Sequence, residues 1–248
     1  MLERGAHGYH CGMTVADAAL LAEQIDYYRQ RAQEYDQWWF RTGRFDRGEA
    51  LNAAWNRDVA SVESSLFDFL ARARPRTALE VACGTGLFTR HLAPRVGHLT
   101  AVDASSEVIA INRGRAGASN VEYVEADLFT WRTEHRYDLV FMSFWLSHVP
   151  HARFAAFWEM VRGALAPGGT AYVVDSAHDP TSTAVDHVTP DRVAGVVSRK
   201  LDDGREFRIV KIFWEPSALA ARLARCGISA DIAQTSRYFI HGTARPAA

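Results

Sequence analysis

The sequence predicts an α/β fold of three layers, a central sheet covered by helices on both faces, with a helical cap on its N-terminal side. Three observations predict it. From residue 75 onward, short apolar segments alternate with helix-length segments. Glycine, proline or an acidic residue punctuates the end of nearly every apolar segment. Residues 14–74, in contrast, carry helical periodicity and no strand-like run.

Taken in order, residues 1–13 mix glycine, histidine and charged positions and read as a flexible leader. A helical region begins near Thr14 and runs through residues 16–25 to Tyr27 and Tyr28. Tyr35, Trp38, Trp39 and Phe40 extend its aromatic content, whose first duty is to pack a helical cover onto a core. The Gly43–Gly48 segment interrupts the cover. Residues 49–72 then place Leu51, Trp55, Val59, Val62, Leu66, Phe69 and Leu70 on one helical face, until Pro75 ends the cap.

Residues 75–248 read as the core. Ala78–Ala82 is a buried strand, residues 83–86 a glycine turn, and a helix follows through about Ala93. His98–Val102 is a strand reaching Asp103, Ser105–Arg113 a helix, and Val121–Val124 a strand ending before Asp127. Tyr137–Ser143 is the fourth strand, followed by a loop at Trp145–Pro150 and a helix through about Leu165. Pro167-Gly168-Gly169 forms a compact turn before a fifth strand, Thr170–Asp175. Residues 176–204, with Pro180, Pro190 and a short helix around Asp191–Ser198, read as a lid or a long connection. Phe207–Trp214, a helix around Ser217–Cys226 and Ile228–Thr243 read as a closing strand–helix–strand unit. Such a rhythm places ligands outside the C-terminal ends of the parallel strands.

Composition narrows the function. The 248 residues are 48 % hydrophobic, and 28 basic against 29 acidic side chains give a net charge of -1. That balance supplies no field favouring a nucleic acid. Cys11, Cys83 and Cys226 outline no disulfide framework, so reduced thiols and a cytoplasmic location are expected. No apolar run approaches membrane-spanning length, and no integral membrane association is expected.

The local chemistry is sharper. In the segment EVACGTG, residues 80–86, Gly84 and Gly86 permit tight turning and close approach of a ligand to the backbone. Glu80 can organise that turn, and Asp103 ends the next strand, where a carboxylate can accept from both hydroxyls of a ribose. Asp127 ends the third strand. A glycine turn with one later acid also describes a dinucleotide fold; acidic residues at three successive strand ends are more particular.

On these residues the chain resembles the class I S-adenosylmethionine-dependent methyltransferases, over about residues 76–175 and onward through the terminal strand pair. The resemblance implies a Rossmann-like seven-stranded sheet, mostly parallel with an antiparallel terminal strand, and S-adenosyl-L-methionine as methyl donor, with S-adenosyl-L-homocysteine as product. It puts Glu80, Ala82, Gly84 and Gly86 beneath the donor's methionine and ribose. Asp103 and Ala104 fall at the ribose, Asp127 and Leu128 at the adenine, and Phe144 near the methionine side. Cys83 stands where the family commonly has glycine, and reads as a compact packing residue.

The acceptor side is thinner. His148, in the loop after the fourth strand, is the candidate catalytic residue, able to deprotonate or orient a nucleophile. Trp145 and Ser147 beside it, and Arg31 and Tyr35 from the cap, are candidate substrate contacts; Tyr28 is a candidate donor contact. For the aromatic residues packing is the competing role, for Ser147 a turn, and for Arg31 a solvated surface; Arg31 can also clamp the donor's carboxylate or an acidic substrate. His7, His10 and Cys11 make no persuasive metal constellation, and no metal is expected. The expected activity is methyl transfer by direct in-line displacement to an oxygen or nitrogen of a small, aromatic or partly hydrophobic metabolite. RNA or protein methylation, and a non-catalytic S-adenosylmethionine-binding protein, are the alternatives. Monomer and homodimer stay open.

Overall fold

A computed structural model describes residues 15–187 and 195–247. The expected leader and the segment 191–194 of the expected helix around Asp191–Ser198 lie outside the described residues.

Helices α1 (Val15–Gln30) and α2 (Tyr35–Phe40) precede the long α3 (Glu49–Ala73). Gly48, with φ 82°, starts α3, and Asp46 accepts from both the Gly48 N–H and Asn52 Nδ2 to tie that end. Trp55, Asp58, Val62, Leu66, Phe69 and Leu70 are buried at three- and four-residue spacing, which seats one face of α3 on the sheet. Each fully buried apolar side chain there contributes about 1.5–3 kcal/mol. Arg74 turns left-handed before Pro75 and ends the helix.

The sheet is built from β1 (Thr77–Val81), β2 (His98–Asp103), β3 (Val121–Glu125), β4 (Tyr137–Ser143), β5 (Leu165–Ser176), β8 (Ile228–Gln234) and β9 (Phe239–Pro246), in the order β3-β2-β1-β4-β5-β9-β8. β1 to β5 run parallel; β9 pairs antiparallel with β5 and β8 antiparallel with β9. Helices α4 (Thr89–Leu92), α5 (Ser106–Ala116), α6 (Phe154–Ala164) and α7 (Pro216–Ala224) complete the connections. The strand order reverses direction at β1, between β2 and β4, which opens a crevice at the C-terminal ends of β1 and β4.

Four expectations are corrected. The strand read in Phe207–Trp214 does not join the sheet: β7 (Glu206–Val210) pairs antiparallel with β6 (Val196–Lys200) as a separate two-stranded ribbon. Its alternating pattern offers one apolar face, enough to cover a helix and too little for an interior strand. Val197, Leu201 and Ile209 accordingly pack on Tyr27 of α1. Residues 196–198, expected at the end of a helix, belong to β6. The single strand read over Ile228–Thr243 is a hairpin of β8 and β9, whose turn is held by Asp58: its carboxylate accepts from Thr235 Oγ1, Ser236 Oγ and the N–H groups of Arg237 and Tyr238 at 2.6–2.8 Å. Finally, Pro167-Gly168-Gly169 lies within β5, at the register shift opposite Tyr137 and Leu139, and not before it.

Candidate active site

A cavity of about 720 Å³ opens at the crevice. Its floor is the turn after β1. Ala82 and Phe144, the residues following β1 and β4, both take left-handed backbone, with φ 54° and 53°. Neither is glycine, so each turn holds a conformation that its side chain disfavours, and both line the cavity. Gly84, also left-handed, donates its N–H to Asp103 Oδ2 at 2.9 Å, and Ser105 donates to Oδ1 at 3.1 Å. The Ala104 N–H also acts on this carboxylate, and its remaining lone pairs stay available to a ligand diol. Burial pushes the Asp103 carboxyl up to about 6, against the pull of these backbone bonds.

Ala104, Asp127 and Leu128 continue the wall. Asp127 Oδ1 accepts from the Phe129 N–H at 2.9 Å, which leaves Oδ2 for a ligand donor. Trp145, expected among substrate contacts, also falls here, its ring 5.3 Å from that of Phe129.

Glu80 and Gly86 lie behind the floor and do not line the cavity. Glu80 is 1 % exposed and accepts from Thr89 Oγ1 at 2.6 Å, while its Oε1 has no partner. Burial raises its carboxyl to about 8, so it is protonated at neutral pH. Asn112 Nδ2 donates to the carbonyls of Cys83 and Gly84 and to Thr89 Oγ1, threading the turn to α5. A Cβ on Gly86 would meet Asn112 Oδ1 at 2.6 Å, which explains the second glycine. Cys83 is buried beside Ala101 and Ile109, a packing position, and burial raises its thiol well above the usual range.

A second cavity, of about 690 Å³, lies under α1, α2 and the β6–β7 ribbon. It shares Tyr28, Tyr35, Phe144 and His148 with the first. Three anchors fix the loop carrying His148. The Ser147 N–H donates to Asp175 Oδ2 at 2.8 Å, Ile212 donates to the Ser147 carbonyl, and Gln24 of α1 bridges the His148 carbonyl and the Val210 N–H.

The His148 ring sits between two fixed partners, with Nδ1 2.6 Å from the Val210 carbonyl and Nε2 2.8 Å from Tyr28 Oη. Burial, reinforced by the nearby Lys211 charge, holds its pKa well below 6.5, so the ring is neutral. A carbonyl only accepts; Nδ1 therefore carries the proton, Nε2 accepts, and Tyr28 donates. The imidazole lone pair is already engaged.

Arg31 and Tyr35 line the second cavity, whereas Ser147 is fully buried behind it. Besides Arg31 the wall carries two further cations that are not among the candidate contacts, Arg199 and Lys211. Lys211 Nζ donates to Ser147 Oγ at 2.9 Å and Ser176 Oγ at 3.3 Å and lies 3.9 Å from Asp175; burial brings it down to about 8. Arg199 carries a signal in the sequence: alternation along β6 sets it on the face of Val197 and Leu201, where a charge is out of place.

From the cap, Asp36 of α2 pairs with Arg115 of α5 and accepts from Thr85 Oγ1 at 2.6 Å, and Arg29 reaches Glu107 at 3.4 Å. These bonds clasp the N-terminal helices onto the glycine turn. Among the described residues no cluster of three or more His, Cys, Asp or Glu is positioned to hold a metal, and no helix is long and apolar enough to cross a membrane.

The model of a methyltransferase domain family matches residues 78–169. The solved complex of DhpI with SAH is 38 % identical, with a TM-score of 0.74, covering 93 % of this chain and 98 % of that one. This chain belongs to the class I S-adenosylmethionine-dependent methyltransferase family. A second DhpI structure, in complex with SAM and HEP, is 38 % identical with a TM-score of 0.72, covering 92 % and 98 %. An uncharacterized methyltransferase of Mycobacterium bovis is 27 % identical over 169 residues, 68 % of this chain and 79 % of that protein. The methyltransferase uses S-adenosylmethionine as its methyl donor, and the crevice at β1 and β4 has the carboxylate, glycine turn and apolar wall that a nucleoside of this kind needs.

Proposed function

We propose that the enzyme transfers the methyl group directly to an oxygen or nitrogen of a small, partly hydrophobic molecule seated in the second cavity. The observation that carries this reading is the shared wall. Tyr28, Tyr35, Phe144 and His148 belong to both cavities, so a donor in one and an acceptor in the other meet there. The relative DhpI has been solved with SAM and HEP together, which supports a site for two small molecules at once.

Bound S-adenosylmethionine supplies an electrophilic methyl on a sulfonium, and the protein's work is alignment and exclusion of water. In this reading Asp103 takes the ribose hydroxyls, Asp127 the adenine amine, and Leu128 with Trp145 the adenine faces. Gly84 lets the backbone come close, and Phe144 closes the methionine side. His148 serves as a positioning residue: it holds the Tyr28 proton, so Tyr28 Oη presents lone pairs to the junction. The clasp of Asp36 and Arg115 keeps Tyr35 and Tyr28 over both ligands.

The test is incubation of the purified protein with labelled S-adenosylmethionine and a metabolite extract, with products identified by mass. A labelled small molecule is expected. Label found only in RNA or protein, or no transfer at all, would overturn the reading.

A further inference from the structure

Gln24 is a polar side chain that α1 buries to 2 % exposure in the wall of the first cavity. Its amide is engaged at both ends. Oε1 accepts from the Val210 N–H at 3.0 Å, and Nε2 donates to the His148 carbonyl at 3.4 Å. Val210 is also the residue whose carbonyl lies 2.6 Å from His148 Nδ1. A residue of an antiparallel strand sends its N–H and its carbonyl to the same edge. Gln24 and the His148 ring therefore hold neighbouring groups on one edge of β7, and the same amide holds the His148 backbone. One helical turn further along α1, Tyr28 lies 2.8 Å from the other ring nitrogen. The helix thus grips His148 from two sides, at its carbonyl through Gln24 and at Nε2 through Tyr28. Of the polar side chains, a neutral amide is the one that offers an acceptor to Val210 and a donor to His148 together. A carboxylate would face the His148 carbonyl, and a lysine the Val210 N–H.

What this grip controls is the direction of the hydrogen bonds that end at the junction of the two cavities. With the Val210 carbonyl held at Nδ1, the ring proton stays on Nδ1, Nε2 accepts, and the Tyr28 proton points at the ring. Without that carbonyl, the neutral ring is free to carry its proton on Nε2 and to donate to Tyr28 Oη. The hydroxyl proton then turns toward the junction, where a positive hydrogen opposes the sulfonium methyl. Resting on the reading of the junction as the place of methyl transfer, we propose that Gln24 is a positioning residue for that transfer. By fixing Val210 and the His148 backbone it sets the tautomer of the imidazole, and through it the direction of the Tyr28 hydroxyl.

Nitrogen NMR of the full chain carrying isotope-labelled histidine, saturated with S-adenosylhomocysteine, reads the tautomer without turnover; the His148 signals are those lost in His148→Gln. The wild type is expected to show Nδ1 protonated and Nε2 bare. Gln24→Met keeps the length of the side chain and removes both bonds, and is expected to move the ring to the Nε2–H form or to a mixture of the two. Gln24→Asn, polar but too short to reach both groups, gives the same reading if the methionine variant does not fold. With the acceptor identified by labelled transfer, either variant is expected to lower kcat about tenfold or more while S-adenosylhomocysteine affinity changes less than about threefold. Because Gln24 acts through Tyr28, that loss should disappear in the Tyr28→Phe background, the double variant being no slower than Tyr28→Phe alone. A wild-type ring protonated on Nε2, or a tautomer unmoved by both Gln24 variants, would overturn the proposal. So would losses that multiply in the double variant, the mark of general damage to the fold. Transfer to a small molecule that proceeds unchanged in both Gln24 variants would reject the role of Gln24 and leave small-molecule methylation standing. Absence of transfer in the wild type would remove the broader reading, while the spectra still decide whether Gln24 sets the tautomer.

Discussion

Asp103 is the residue whose replacement tests the donor site most directly. Both of its oxygens already accept a backbone N–H, from Gly84 at 2.9 Å and Ser105 at 3.1 Å. In Asp103→Asn, whichever way the amide is turned, its NH2 faces one of those N–H donors, and a bond becomes a repulsion. The variant also loses a charged acceptor for the ribose diol. One charge-assisted bond contributes about 1.5–3 kcal/mol, so S-adenosylhomocysteine affinity should fall about 10- to 100-fold. Acidity offers a second handle on the same carboxylate. Its pKa is raised to about 6 in the folded protein, and the ionised form is the one that accepts from both hydroxyls. Binding should be flat well above that value and weaken about tenfold for each pH unit below it. Calorimetric titration across pH reads both effects, and the inflection should vanish in Asp103→Asn. Wild-type affinity in the variant, or an inflection that survives the substitution, would refute the assignment.

Three further outcomes are expected. Glu80 is raised to about 8 on folding, so the folded state binds the extra proton and stability declines as pH rises from about 4.5 toward 8; Glu80→Gln should remove that decline and stabilise the fold increasingly with pH, by on the order of a few kcal/mol at the alkaline end, read as a rising thermal midpoint. Tyr28→Phe, which takes the proton from His148 and the oxygen from the junction, should lower kcat about tenfold or more and change S-adenosylhomocysteine affinity less than about threefold, by steady-state kinetics and calorimetry. Asp58→Ala leaves the N–H groups of Arg237 and Tyr238 without their acceptor and should cost about 2–4 kcal/mol by denaturant unfolding. Because its hydrogen bonds hold the Asp58 carboxyl below the usual range against burial, that difference should shrink as pH falls through about 4.

The parallel half of the sheet was legible because β1, β2 and β4 are buried on both faces and read as apolar runs. Asp103, Asp127, Ala82 and Gly84 could be placed on one cavity wall because strand-end positions converge whatever the helices do. The left-handed turns at Ala82 and Phe144 carry no such mark, since neither is glycine and only the closeness of β1 and β4 imposes them. The second cavity was hidden for a different reason. Its residues come from α1, the loop after β4, β6 and the segment after β7, which are distant in sequence and meet only through tertiary packing. β8 reads weakly because it is an edge strand with few buried positions. Glu80 and Gly86, read in the sequence as members of the donor loop, stand behind the cavity wall and not on it.

The β6–β7 ribbon stands apart from the seven-stranded sheet, joined to the rest through α1 and the loop after β4. In the proposed reading the donor's surface is thus made by the sheet's strand ends, and much of the acceptor's surroundings by an attached module. Exchanging Val196–Val210 or the inner face of α1 would redesign acceptor preference while the strand ends that carry Asp103 and Asp127 stay intact. In an engineering sense the molecule separates a constant socket from a replaceable one.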